Sequence, residues 1–201
     1  MRARHIPFLA IAAISILGTG IACKRSAESR AQDASALVRS MNQEVLEAQK
    51  KAIAKFKALP NSDDYRLNLG ANLDGWSVSD KNYNKREDDM EKSLIELQKN
   101  AKDEALIGEL RLFAKKRGQD SQGKVAEFES RLAKTQKSLQ TGKLQDDNGG
   151  PTTFDLNEPA SAGLKKTMEQ IQQLLPIEIE FHRESQRIAN AYEAKLTKLL
   201  S

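Results

Sequence analysis

The sequence predicts an all-α protein: an elongated three- or four-helix bundle, coiled-coil-like, with two long loops. Three observations carry that prediction. Apolar residues recur at intervals of three and four through long stretches, which gathers them on one face of a helix. Aromatic residues are few, one Trp, three Tyr and six Phe in 201 residues. The core must then be built from Leu, Ile, Val, Met and Ala, which suits long helices better than a compact sheet. Charged residues make up 30% of the chain and mix both signs, as on solvated helix faces.

The segment from Met1 to Ala22 stands apart. "MRARH" carries Arg2 and Arg4 and no acid, and Ile6 to Ala22 carry no charge. A basic start, a short apolar run and small residues before a break make a secretory signal peptide. The strongly apolar part, Phe8 to Leu17, is short of the roughly 20 residues that span a bilayer. The only cysteine of the chain, Cys23, follows at once.

Gly20-Ile21-Ala22-Cys23 resembles the lipobox of a bacterial lipoprotein precursor, with Gly20 where Leu is usual. The resemblance runs from Met1 to Cys23 and no further. It implies cleavage between Ala22 and Cys23, and a diacylglyceryl group on the Cys23 sulfur. It also implies the outer membrane rather than the inner, because Lys24 is not the Asp that retains some lipoproteins. Two or three acyl chains anchor stably where one holds marginally. Two other readings of the same residues stand beside it. One is an uncleaved signal anchor, its orientation set by Lys24 and Arg25. The other is ordinary cleavage after Ala22 that leaves Cys23 a plain thiol.

Removing residues 1–22 leaves 30 basic against 28 acidic residues. So balanced a domain lacks the basic footprint of a nucleic-acid binder. Its length suits one domain. The chain then divides into a signal peptide over 1–22, a polar tether over 23–32 and a helical domain over 33–201.

The first helix carries Val38, Met41, Val45, Ala48, Ala52, Phe56 and Leu59 on one face and ends at Pro60. Residues 61–80 hold turn signals, including Gly70 and Asp74-Gly75. Alternation of Tyr65, Leu67 and Leu69, and of Trp76 and Val78, predicts a short hairpin or else a compact loop. The second helix is predicted from Asn84, with Glu87 at capping-box spacing. Its stripe is Met90, Leu94, Leu97 and Ala101, then Ile107, Leu110 and Phe113 after a drift. The basic turn Ala114 to Arg117 and Gly118 predict its end. A third helix, capped by Asp120 or Ser121, carries Val125, Phe128, Leu132, Thr135 and Leu139. The alternative is one continuous helix from the mid-80s to about residue 140. The second loop follows at 141–163, with Asn148-Gly149-Gly150-Pro151 barring regular structure. The last helix runs from Asn157 or Ser161 to Leu200, kinked at Pro176.

Little in the chain looks like catalysis. His182 is the only histidine after the leader and lies four residues beyond Glu178, on one helix face. The pair makes half a metal site at most, since three or four ligands are needed. Asp63-Asp64, Glu87-Asp88-Asp89 and Asp146-Asp147 lack calcium-loop spacing. No serine has a hydrolase elbow. Trp76, a large aromatic in a loop, is the candidate contact residue, with a cap over the bundle end as its plain structural reading. The function expected is therefore a membrane-anchored, non-catalytic structural or protein-interaction module of the cell envelope. No cofactor is implied, the protein partner is unspecified, and exposed heptad positions also suit self-association. The alternative is a ligand- or metal-binding module with its site near the Pro176 kink, at Glu178 and His182.

Overall fold

A computed structural model describes residues 26–69, 75–145 and 153–201. The chain is an all-α bundle, with five α-helices among the described residues: α1 (Ala27–Lys57), α2 (Ser62–Leu69), α3 (Asp80–Asn100), α4 (Asp103–Thr141) and α5 (Ala162–Lys198). Between α4 and α5, β1 (Lys143–Gln145) pairs antiparallel with β2 (Thr153–Asp155), with Leu144 opposite Phe154 in register. None of the helices among the described residues is long and apolar enough to cross a membrane.

The Ser26 side chain caps α1, accepting from the Ser29 backbone N–H at 3.1 Å, which satisfies one of the free donors of the first turn. The helix thus starts inside the segment expected to be a tether, and Ala31 is already buried. Of its predicted stripe, Val38, Met41, Val45, Ala52 and Phe56 are buried, while Ala48 and Leu59, the latter just past the helix end, are partly buried. The chain leaves α1 through Asn61 at φ 56°, a left-handed conformation that Asn tolerates.

Of the segment expected to form a hairpin or loop, Ser62–Leu69 is the helix α2, whereas residues 75–79 are the loop that leads into α3 and buries Trp76 and Val78. Tyr65 and Leu69 fall one turn apart and are both buried, and Tyr65 meets Phe56 edge-on at 5.4 Å. Alternation and i, i+4 spacing both fit so short a run, and packing on α1 selects the helix. Helix α3 begins at Asp80 rather than Asn84, because the Ser79 hydroxyl caps it, accepting from Asn82 N–H at 3.1 Å.

The break predicted at Gly118 lies instead at Ala101 and Lys102, both extended. The drift in the apolar stripe between Ala101 and Ile107 was its mark. Gly118 is in mid-helix, where α4 crosses α5 closely. A Cβ there would stand 2.5 Å from Asn190 Oδ1 and 3.7 Å from the Ala189 methyl. Helix α4 ends at Gly142, φ 69°, a left-handed stop that glycine adopts without strain.

Helices α4 and α5, 39 and 37 residues, run antiparallel, and theirs is the most extensive packing in the bundle. With a rise of about 1.5 Å per residue, each spans roughly 55–60 Å. Helix α5 continues through Pro176. Helices α1 and α3 lie along one half of this pair: Arg30 reaches Leu199 and Glu104 at one end, and Lys55 reaches Glu180 nearer the middle. The other half is covered by α2, with Tyr65 donating to Gln173 and Lys166 to Asp64. The fully buried apolar side chains of α4, Ile107, Leu110 and Ala114, sit in the first half.

Candidate functional site

Glu178 and His182 do lie on one face of α5, and that face points inward. Glu178 is completely buried and His182 is 8% exposed. The loop before α3 and the start of α3 bring the polar groups that meet them. Glu178 Oε1 accepts from the Val78 backbone N–H at 3.1 Å. Ser77 Oγ lies 3.3 Å from His182 Nε2, and Arg86 Nη2 donates to the same hydroxyl at 3.4 Å. From α1, the buried Gln49 donates its amide to the Ser77 carbonyl at 2.7 Å. Rings enclose the group: His182 lies against Phe181 and Phe128 at centroid distances of 4.9 and 5.6 Å.

Burial governs the charges. It pushes the Glu178 carboxyl up to about 7, against the opposing pull of the Val78 N–H, Ser77 and Arg86. It pushes His182 down to about 3, helped by Arg86 and Lys124. His182 is therefore neutral at physiological pH, and its 3.6 Å approach to Glu178 Oε2 is not an ion pair. Desolvation penalises the charged form of both groups, so one moves up and the other down.

Serine, histidine and carboxylate together invite comparison with a nucleophilic triad. In a working triad the carboxylate holds one ring nitrogen so that the other can take the serine proton. Here Ser77 Oγ and Glu178 Oε2 both face Nε2, while Nδ1 has no hydrogen-bond partner among the described residues. The carboxylate cannot orient the ring for proton transfer. Nor do Glu178 and His182 gain further ligands: no group of three or more His, Cys, Asp or Glu suited to a metal occurs among the described residues.

Trp76, the candidate contact residue, is 5% exposed. It stacks on Phe128 with centroids 5.7 Å apart and planes 3° from parallel, and the Arg131 guanidinium lies 5.2 Å from its ring. Its surface is spent inside the bundle, so it is not available to a partner. Ala22 and Cys23, and with them Gly70, Asp74 and Asp146-Asp147, lie outside the described residues.

Arg86, Ser77 and Gln49 were missed from the sequence. For two of them a signal existed. Arg86 sits four residues before Met90 on the α3 stripe, and Gln49 falls between Val45 and Ala52 on the buried face of α1. Ser77 carried none.

Two depressions flank this cluster. A groove of about 890 Å³ between α1 and α5 is dressed with matched charges, such as Lys55 with Glu180 and Arg187 with Glu184. A cleft of about 650 Å³, lined by α1, α3, α4 and α5, has His182 on its wall. The fold and site together define an antiparallel helical bundle closed around a buried polar cluster. No family model matches the chain, and neither a curated protein nor a solved structure matches it.

Proposed function

We propose that the protein is a lipid-anchored, non-catalytic structural or protein-interaction module of the bacterial cell envelope. Diacylglyceryl on Cys23 holds it to the membrane, the outer in preference to the inner. The observation that carries this reading is the order of features at the N-terminus. An uncharged run ends at Ala22-Cys23, and Ser26 caps the first helix of the bundle only three residues later. Four residue steps from Cys23 to Ala27 reach at most about 14 Å, so the anchor would hold the bundle close to the headgroups.

The bundle end next to Ser26 joins three elements. Arg30 donates to the Leu199 carbonyl at 3.0 Å and pairs with Glu104 at 2.5 Å. An anchored N-terminus is thereby tied to the start of α4 and the end of α5. The long flanks of α1, α4 and α5 are left to meet another envelope protein or a second copy. The wiring of Ser77, His182 and Glu178 is not that of a nucleophilic triad.

The test is the mass of the N-terminal peptide of protein taken from its native membrane, beside a Cys23→Ala variant. A peptide beginning at Cys23 with lipid mass, and loss of membrane attachment in the variant, is the expected result. A retained Met1–Ala22 segment, or a bare Cys23 thiol, would overturn the reading.

A further inference from the structure

The cleft between α1, α3, α4 and α5 has an unusual charge arrangement for this bundle. Four cations line it, Arg86, Lys116, Arg117 and Lys124, against two acids, Glu96 and Asp120. Lys124 is paired with Glu127 at 2.7 Å. Arg86, Lys116 and Arg117 pair with no carboxylate among the described residues. Elsewhere, four cations that reach across helices pair with carboxylates: Arg30 with Glu104, Lys55 with Glu180, Lys57 with Asp80, Arg183 with Glu129.

The two arginines are nevertheless held in place. Arg86 donates to Ser77 Oγ, and its guanidinium lies 4.8 Å from the Phe181 ring centre. Arg117 donates to Asn42 Oδ1 at 3.1 Å and lies 5.0 Å from the Phe113 ring centre. A guanidinium has five N–H donors in a planar fork, and each of these uses one on a neutral protein group. Burial lowers both, and Arg86 further lowers Arg117, to about 10; both stay charged at neutral pH. Asp120 and Glu178 offset this at longer range. Two repelling, half-desolvated guanidiniums, fixed on aromatic rings with free donors, make a site for a planar or tetrahedral oxyanion. Beside them the wall has an apolar part, with Val45 and Met90 buried and Leu97 and Phe113 partly buried, and an uncharged polar part that includes Ser93, Asn100 and Ser121. The volume is that of a small-ligand pocket.

We infer that this cleft binds a small organic anion, its phosphate or carboxylate head held by Arg86 and Arg117 and its apolar body lying on Met90, Leu97 and Phe113. Lys116 at the rim adds charge, and the neutral His182 and Ser185 complete the wall. This site is independent of the anchor on Cys23 and stands if that reading fails.

The test is calorimetric titration of the detergent-solubilised full-length protein with phenyl phosphate, phenylacetate, inorganic phosphate and benzyl alcohol at low salt. The expected order has the two aromatic anions tightest, inorganic phosphate weaker and benzyl alcohol unbound. In an Arg86→Gln/Arg117→Gln variant the aromatic anions should bind at least about tenfold more weakly, the scale of losing charge-assisted bidentate contacts. Lys55→Gln, in the other groove, should change nothing. Should the double variant not fold, the exposed Lys116→Gln should still weaken binding measurably, and added salt should weaken it in the wild type. No binding of either aromatic anion at millimolar concentration overturns the inference. So does undiminished binding in the folded double variant, or benzyl alcohol binding as well as phenyl phosphate.

Discussion

Glu178 Oε1 and the backbone N–H of Val78, a hundred residues apart in the chain, meet at 3.1 Å in a fully buried contact. That bond fixes the loop before α3 onto the middle of α5. It also leaves Glu178 Oε2 without a hydrogen bond among the described residues, at the point where burial raises the carboxyl to about 7.

The pH dependence of stability follows. Glu178 moves from its ordinary 4.5 up to about 7, so the folded state holds a proton that the unfolded state has lost. Its effect favours folding below about pH 4.5 and is lost as pH rises to about 7. His182 moves from 6.5 down to about 3, and its effect has the opposite course, present above 6.5 and lost as pH falls toward 3. The two slopes oppose each other between about pH 4.5 and 6.5. Urea unfolding should show a plateau there, with stability falling on both sides. Glu178→Gln keeps an acceptor for Val78 and should remove the alkaline fall, making the variant more stable than wild type at pH 8. His182→Phe should blunt the acid fall. Parallel pH profiles for wild type and Glu178→Gln would refute the assignment.

Trp76 and Phe128 predict a large cost for truncation. Trp76→Ala removes a buried stacked ring and should destabilise by about 3–5 kcal/mol. Trp76→Phe should cost less. The single tryptophan should emit at short wavelength when folded and shift to the red with unfolding. Unchanged stability in Trp76→Ala would return Trp76 to the surface as a contact residue.

Gly118 and Asn190 predict a size threshold. A methyl at 118 is tight only against the end of the exposed, movable Asn190 side chain and in ordinary contact with Ala189, and alanine favours a helix over glycine by about 1 kcal/mol. Gly118→Ala should therefore be neutral or mildly stabilising. Gly118→Leu must push α4 off α5 and should cost about 1–3 kcal/mol. Thermal melts of the two variants measure the difference. Equal tolerance of leucine would show that the helices do not approach closely there.

The surface ion pairs predict small effects. Lys55 and Glu180 are 2.5 Å apart but more than half exposed. A double-mutant cycle should give a coupling of about 0–1 kcal/mol, shrinking as salt is added. A coupling several times larger would mean that this pair, rather than the apolar seam, fastens α1 to α5.

The helical stripes were legible because each buried face repeats with the helix period over many turns. From Val38 to Phe56, and from Ile171 to Leu196, spacing identifies the centre of the inward face, though it passed over Leu46, Ile53, Leu174, Ile179 and Ala189 at its margins. The break at Ala101 and Lys102 was harder to read, since no Gly or Pro marks it and Gly118 offered a stronger local signal. Gly118 answers to tertiary packing, which propensity does not contain. At the site, the one-turn spacing of Glu178 and His182 showed that they share a face. It could not show that the face is buried under Ser77 and Arg86, because those partners come from a distant loop and helix.

The antiparallel pair of α4 and α5 has unequal backing along its length. One half leans on α1 and α3 and holds Ile107, Leu110 and Ala114. The other half has α2 for cover and, on α4, buries Phe128, Thr135 and Ser138. Amide hydrogens should report this as two exchange classes. The half beyond Phe128 should open as a cooperative unit of its own, at lower free energy than the half built around Leu110. The molecule is then a rod with one stiff end and one end that breathes, and its stiff end is the one from which Ser26 leads back to Cys23.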